Sequence, residues 1–458
     1  MPKLLNQVAP LYRRLASVVV AALCLSIAAH AQTAEGTRQV PIESLIYDLK
    51  NPDPVRRKEA AKLLGDNKVQ TAAPDLVAAA SDSDAAVRRE IVIALDKMRD
   101  VRSLPAFNLL SADREKDIRD RCIIGMINLY LPQESGLMVT LNKVAVFFNP
   151  WSDEWADVVV EPGTKVDEGA IAALRDRLQD VDDGIRLKAA RGLGILKGKA
   201  AVPALLETLR QNQTQALRFE VIRALVKIGD ASAAGELMNY LNYNDSKVRN
   251  QAIYAIGRLR YREAVPELQR LFEKEGTLPA KLVDKPYREA LLDALAFIAD
   301  PATQPLFMKE KQNSEDALRL HAVEGLARLA DPSLAAEISR DWLQEKVARI
   351  KTAQTYALYR MGRKEFLDEL VNRLGSSKTN TEARLYLLEL RPGEMPELYA
   401  QAKNRDANVR EALAEILGLR GDERAIPVLQ ELAKDQRGQI SALATQAIRR
   451  INARMATS

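Results

Sequence analysis

The sequence predicts an all-α fold, an α-solenoid of stacked two-helix repeats carrying one small β-rich insertion. Three observations predict it. Arginine recurs along the chain at intervals that are mostly 31 or 32 residues; an aspartate follows several of these arginines at a fixed offset of 12; a proline follows at 17. Offsets held in register along most of a 458-residue chain mark a repeat whose units cannot bury their apolar faces alone and therefore stack.

The first element is a leader. Lys3, Arg13 and Arg14 make a positive start, an apolar run extends from Leu15 to Ala29, and Ala29-His30-Ala31 has the small-x-small form of a signal-peptidase site. Residues 1–31 therefore read as a signal peptide cleaved after Ala31. A retained anchor fits less well, because about 15 apolar residues fall short of the roughly 20 that cross a bilayer. Cys24 follows Leu23 rather than a small residue, which argues against a lipoprotein. The expected location is the periplasm, with secretion as the alternative, and the mature chain is expected to hold no transmembrane segment.

Cleavage removes three of 67 basic residues and none of the 62 acidic ones, so the mature net charge is about +2. That is no cationic footprint for nucleic acid, which is excluded as a partner. Cleavage also leaves one cysteine, Cys122, and one histidine, His321. No intramolecular disulfide and no His/Cys zinc cluster can then form, and any Ser-His-Asp or Cys-His arrangement must run through His321. His321 reads as a surface or groove residue of a repeat helix and Cys122 as a small core residue. No phosphate loop or nucleophile elbow occurs. The expectations are no catalytic residue, no metal, no cofactor and no enzymatic activity.

After a linker over 32–41, repeats occupy 42–131 and 169–452, and a tail covers 453–458. The repeat arginines are Arg56, Arg88, Arg119, Arg186, Arg218, Arg249, Arg288, Arg319, Arg384 and Arg410. Asp100, Asp230, Asp300, Asp331 and Asp422 lie 12 residues after one of them, and Pro105, Pro203, Pro266 and Pro427 lie 17 after. Each unit reads as helix–turn–helix. The second helix opens near the arginine and carries apolar residues at helical spacing, as in Val221, Ile222, Leu225 and Ile228. It ends at segments such as 227–230 and 419–422, where Gly229 and Gly421 suit a left-handed C-terminus. Proline then pre-sets the first turn of the next helix, where its missing N–H costs nothing.

This pattern of arginine, Gly-Asp and Ala-Val-Pro resembles the short HEAT-like repeats of phycobilisome-lyase subunits and many bacterial proteins. The resemblance covers nearly all of the mature chain. It implies that the repeated arginines and aspartates form a hydrogen-bonded ladder between units, a scaffold rather than an anion-binding stripe. The sequence departs from the pattern in places. Arg56 has Asp66 ten residues on, Lys351 replaces an arginine, Arg384 to Arg410 is a short step, and Ser441 takes the last anchor. The weak units over 335–400 suggest a bend.

Residues 132–168 break the period. Leu137–Leu141, Val144–Phe148 and Asp157–Glu161 are rich in β-branched and aromatic residues, and Asn149-Pro150 and Pro162-Gly163 punctuate them. They predict a β-hairpin or three-stranded excursion holding Trp151 and Trp155. Those aromatics either pack the insertion onto the solenoid or serve as exposed binding anchors. A calcium site from Asp153, Glu154 and Asp157 lacks the spacing and glycine of an EF-hand.

Solenoids present a concave surface lined by the second helices. Positions 2, 5 and 9 past each arginine should face it, giving Lys188, Arg191, Glu220, Arg223, Lys227, Gln251, Tyr254 and Arg258, then Asp293, Phe297, His321, Glu324 and Arg328. The expected function is an exported, non-enzymatic scaffold binding a protein or acidic peptide in this groove. Its contacts are Lys188, Arg191, Arg223, Lys227, Tyr254 and Arg258, with Trp151 and Trp155 closing one side. A structural or accessory subunit of a cell-envelope assembly is the alternative. A lyase-like enzyme subunit is the third reading; such lyases act on a pigment inside photosynthetic cells, which the export signal argues against.

Overall fold

The structure, a computed structural model, describes residues 41–131, 158–211 and 213–456. The expected signal peptide, most of the linker and the insertion as far as residue 157, with Trp151 and Trp155, lie outside the described residues. Among the described residues every regular element is helical and none is long and apolar enough to cross a membrane.

The helices come in pairs, an outer one and then an inner one: α1 (Ile42–Asp48) with α2 (Pro54–Asp66), α3 (Ala73–Ala78) with α4 (Ala85–Met98), and α5 (Leu104–Leu110) with α6 (Lys116–Tyr130). After the insertion follow α7 (Glu168–Asp176) with α8 (Asp183–Ile195), α9 (Val202–Arg210) with α10 (Gln215–Ile228), and α11 (Ala234–Leu237) with α12 (Ser246–Arg258). Then come α13 (Val265–Gly276) with α14 (Lys285–Ile298), α15 (Gln304–Glu310) with α16 (Asp316–Leu329), α17 (Ala335–Gln344) with α18 (Ala348–Arg360), and α19 (Phe366–Asn372) with α20 (Asn380–Leu388). A long 3₁₀ segment, Pro392–Lys403, replaces the outer helix before α21 (Ala407–Arg420), and α22 (Ile426–Leu432) with α23 (Gly438–Met455) ends the array.

Local chemistry sets the boundaries. Pro105, Pro203, Pro266 and Pro427 stand in the first turn of α5, α9, α13 and α22. The apolar residue two further on (Phe107, Leu205, Leu268, Leu429) is fully buried each time. Gly229 takes the left-handed conformation that ends α10 (φ 74°), as its sequence suggests. Gly421 does not: it is extended (φ −69°). Arg99, Ala299 and Ala330 fill the left-handed position at other inner helices, so glycine is favoured there but not obligatory. Inner helices stack on one another in order. They approach closely: a Cβ on Gly257 would stand 2.6 Å from Ala294 Cα.

The arginine ladder exists, with two corrections. Arg88 donates to both carboxylate oxygens of Asp113 and, through Nη1, to the carbonyls of Asp82 and Ser83 at 2.9 and 3.1 Å. Arg410 donates through Nε to Asp435 Oδ2 (2.7 Å) and through Nη1 to the carbonyls of Asn404 and Arg405. In the first unit this place belongs to Arg57, which pairs with Asp82, and not to Arg56, which is exposed. The anchor shifts by one because Arg57 lies 31 residues before Arg88, restoring the full period. Nor do the aspartates at offset 12 join the ladder. Asp100, Asp230, Asp300, Asp331 and Asp422 each cap the following 3₁₀ turn through a backbone N–H. For Arg57, Arg88 and Arg410 the partner acid sits 25 residues past the arginine, at the loop between an outer and an inner helix. Arg186 and Arg319 instead pair with Asp183 and Asp316 of their own helices, and Arg218 donates to the carbonyls of Gln211 and Gln213. Arg119 reaches Asp180 across the whole insertion (2.9 Å), so the third and fourth units stack directly.

The expected strand at Asp157–Glu161 is not formed in its described part. Residues 158–161 are irregular, because the Val160 N–H donates to Ile195 O at the end of α8 (2.9 Å) rather than to a neighbouring strand. The segment then meets the far end of the chain. Glu161 accepts from Arg450 (2.9 Å) and Gln446 (3.3 Å) of α23, and Gly163 (φ 87°) lies against the backbone of Ala453 and Arg454. The array from α7 to α23 curls back until its last helix touches the segment before its first.

Candidate functional site

Curling encloses a concave cavity of about 730 Å³, bordered by α12, α14, α16, α18 and α20. Its lining includes Gln251, Tyr254, Arg258, Asp293, Phe297, His321, Glu324 and Arg328, the residues placed there by counting along each inner helix. Tyr386 and Glu389, 2 and 5 residues past Arg384, also line it and fit the same count, although they were not among the residues named from the sequence. Glu289, Arg349 and Glu382 fall outside that count. Glu382, Tyr386 and Glu389 come from α20 and its end. Tyr386 stacks on Tyr356 (4.8 Å between rings, 3° between planes), and its hydroxyl reaches past α18 to Glu324 of α16.

His321 stands at the centre, its side chain 15% exposed. Its Nδ1 lies 3.0 Å from Glu324 Oε2 and 3.4 Å from Asp293 Oδ1, and its Nε2 lies 3.6 Å from Glu289 Oε1. Burial opposes the imidazolium, but the Asp293 charge and the hydrogen bonds of Glu289 and Glu324 outweigh it and push the His321 pKa up to about 10. Burial likewise opposes the Glu324 carboxylate, yet His321 and Arg328 hold it down at about 2. Burial keeps the Tyr386 phenol protonated far above its ordinary range, so it donates to Glu324 Oε1 at 2.6 Å.

Beside this cluster Arg328 forms a two-pronged pair with Glu389 (2.8 and 2.9 Å). The guanidinium carbons of Arg258 and Arg328 lie 3.4 and 3.8 Å from the centre of the Phe297 ring, and Arg258 also lies 4.6 Å from that of Tyr254. Arg258 is exposed and, among the described residues, makes no ion pair.

The rest of the predicted basic groove is differently placed. Lys188 is held by Asp120 (2.5 Å). Glu220 sits between Arg191 (3.2 Å) and Arg223 (2.6 Å), and Arg223 is only 5% exposed. The stem of Lys227 lies over Gly194. Counting found the facing positions, but Lys188, Arg191 and Arg223 are paired with carboxylates within the array, and of the six predicted contacts on the inner helices only Tyr254 and Arg258 line the cavity. Cys122 is fully buried, and burial pushes its thiol far above the usual range, as befits a core residue.

Comparisons with known proteins agree on the repeat. The chain is 36% identical over 85 residues to Bilin biosynthesis protein PecE of Nostoc, 19% of this chain and 34% of that protein. It is 28% identical over 186 residues to Phycocyanobilin lyase subunit alpha of Picosynechococcus, 38% of this chain and 66% of that one. The chain thus spans about a third of PecE. Among solved structures, the complex of CpcE and CpcF of phycocyanin lyase from Nostoc aligns over 71% of this chain and 96% of that one, at 18% identity and a TM-score of 0.25. These relatives correct the expectation of a protein that is no enzyme: PecE is named for a biosynthesis and the Picosynechococcus protein is a lyase subunit. The expectation failed because it rested only on missing catalytic motifs, and a missing motif does not exclude a subunit of an enzyme. The HEAT repeats family matches residues 42–127, 163–225, 202–278 and 391–451, more than half of the sequence, and this chain belongs to it.

Proposed function

We propose that the chain works as one subunit of a lyase-like assembly, holding a segment of a partner protein in its concave groove with Tyr254 and Arg258 at the contact. The observation that carries this reading is the cavity itself, where a histidine, several carboxylates and stacked arginine–aromatic groups converge on rigid inner helices. Arg258 presents a cation that no carboxylate of the described chain neutralises, and Tyr254 adds a flat amphipathic face of the kind enriched at binding hot spots. Similarity to a lyase subunit supports the enzyme class. The signal-peptide pattern read in residues 1–31 supports action outside the cytoplasm, so the reading takes over a lyase-like role without the relatives' pigment.

Site-specific photo-crosslinking in the native cell tests it. A photoreactive residue at position 254 should trap one partner, whereas the same residue at exposed Leu109 should trap none. Arg258→Glu should weaken capture, and more so at low salt, where exposed charges are least screened. The same crosslinks from both positions, or capture indifferent to Arg258→Glu, would refute the groove. The captured complex is then assayed for lyase turnover with phycocyanobilin and with the partner's own adducts; turnover in neither refutes the lyase arm.

A further inference from the structure

We propose that Asp293, His321 and Glu324 form a binding site for one divalent first-row transition-metal ion. The three groups come from neighbouring inner helices, Asp293 from α14 and the other two, one helical turn apart, from α16. The candidate ligand atoms all lie within 4.8 Å of one another. Ligands held about 2.1 Å from an ion stand roughly 3.0 Å apart at right angles and 3.4 Å apart at the tetrahedral angle. The separations from His321 Nδ1 are 3.0 Å to Glu324 Oε2 and 3.4 Å to Asp293 Oδ1, each within the range that two ligands of one ion span.

Two further features point to a ligand rather than to a surface acid cluster. The atoms behind the donors are oriented as metal sites require. Glu289 faces Nε2 of His321, the ring nitrogen that would not bind, and so fixes Nδ1 as the donor. Tyr386 donates to Oε1 of Glu324, leaving Oε2 turned toward His321. Secondly, Arg328 Nη1 is buried without a hydrogen-bond acceptor and lies 3.9 Å from Glu324 Oε2, where a water or anion carried by an ion would accept from it. Position in the repeat makes the pair unusual. Asp293 and Glu324 occupy the same register in consecutive units, a row that holds Arg191, Arg223 and Tyr254 earlier in the array. One imidazole with two carboxylates suits zinc, manganese or iron better than calcium or copper(I). Three protein donors leave open positions toward the cavity, the arrangement of a site that also takes a ligand. This assignment stands apart from the lyase-like reading, since it is tested by binding alone.

The full chain is stripped with a chelator and titrated calorimetrically with ZnCl2, MnCl2 and CaCl2 in parallel. One equivalent of zinc or manganese should bind, with calcium at least ten-fold weaker. His321→Ala should abolish binding. Asp293→Asn, which keeps shape and so tests the site even if His321→Ala misfolds, should weaken it at least ten-fold. Tyr386→Phe should weaken it roughly ten-fold with an unchanged circular dichroism spectrum. No saturable zinc or manganese binding, or equal binding in the wild-type chain and Asp293→Asn, overturns the assignment.

Discussion

Arg88→Ala tests the claim on which the whole architecture rests, that the repeated arginines are internal fasteners. Arg88 makes four hydrogen bonds, two to Asp113 and one each to the carbonyls of Asp82 and Ser83. The side chains of Arg88 and Asp113 are 14% and 5% exposed. Removing one partner of a fully buried pair costs about 3–5 kcal/mol because it strands the other charge, whereas an exposed pair is worth about 0.2–1 kcal/mol. Asp113 would keep the N–H of Glu115 at 2.9 Å, which softens the loss. The expected destabilisation is therefore about 2–4 kcal/mol, below the fully buried limit. Arg88→Lys should fall between, since an ammonium keeps the charge but not the planar fork. Urea unfolding gives the total, and hydrogen exchange shows whether α4 to α6 open first. Arg56→Ala, one residue before the true anchor of its unit, is the control and should change stability by no more than about 0.5 kcal/mol. A loss under about 1 kcal/mol for Arg88→Ala, or equal losses at Arg56 and Arg88, would refute the ladder as a source of stability.

Leu225 is fully buried, so Leu225→Ala should cost about 2–5 kcal/mol and speed hydrogen exchange mainly in α8, α10 and α12; an even rise along the array would contradict neighbour-to-neighbour stability. Burial opposes the carboxylates of Asp82 and Asp113, but Arg57 and Arg88 hold both below their ordinary range. A depressed carboxyl stabilises the fold fully above its unfolded pKa of about 4 and loses that contribution as pH falls through the lowered folded value. Thermal midpoints should therefore drop below about pH 4 in the wild-type chain, and by clearly less in Arg57→Gln/Arg88→Gln; parallel profiles would discount the pairs. Intact-mass measurement on exported protein should find a chain starting at Gln32, and a retained leader would end the proposal of export.

The sequence by itself determined the repeat, its period and the faces of each inner helix, because those follow from spacing along one chain. Phe107, Leu205, Leu268 and Leu429 are buried where the offset from proline puts them. The lining of the cavity by Tyr254, Asp293, Phe297 and His321 follows from the same count. Spacing says nothing about what stands opposite. Lys188, Arg191 and Arg223 read as a basic stripe until Asp120 and Glu220 are seen against them. The aspartates at offset 12 and 25 look alike in sequence, and only the three-dimensional neighbour separates a turn cap from a ladder partner. Closure is likewise tertiary. A small rotation between units accumulates until Arg450 meets Glu161, 289 residues apart, and that sum cannot be read from any one unit. The same curvature carries Tyr386 of α20 to Glu324 and gathers three carboxylates around the single histidine of the repeat array, a grouping that no local pattern announces.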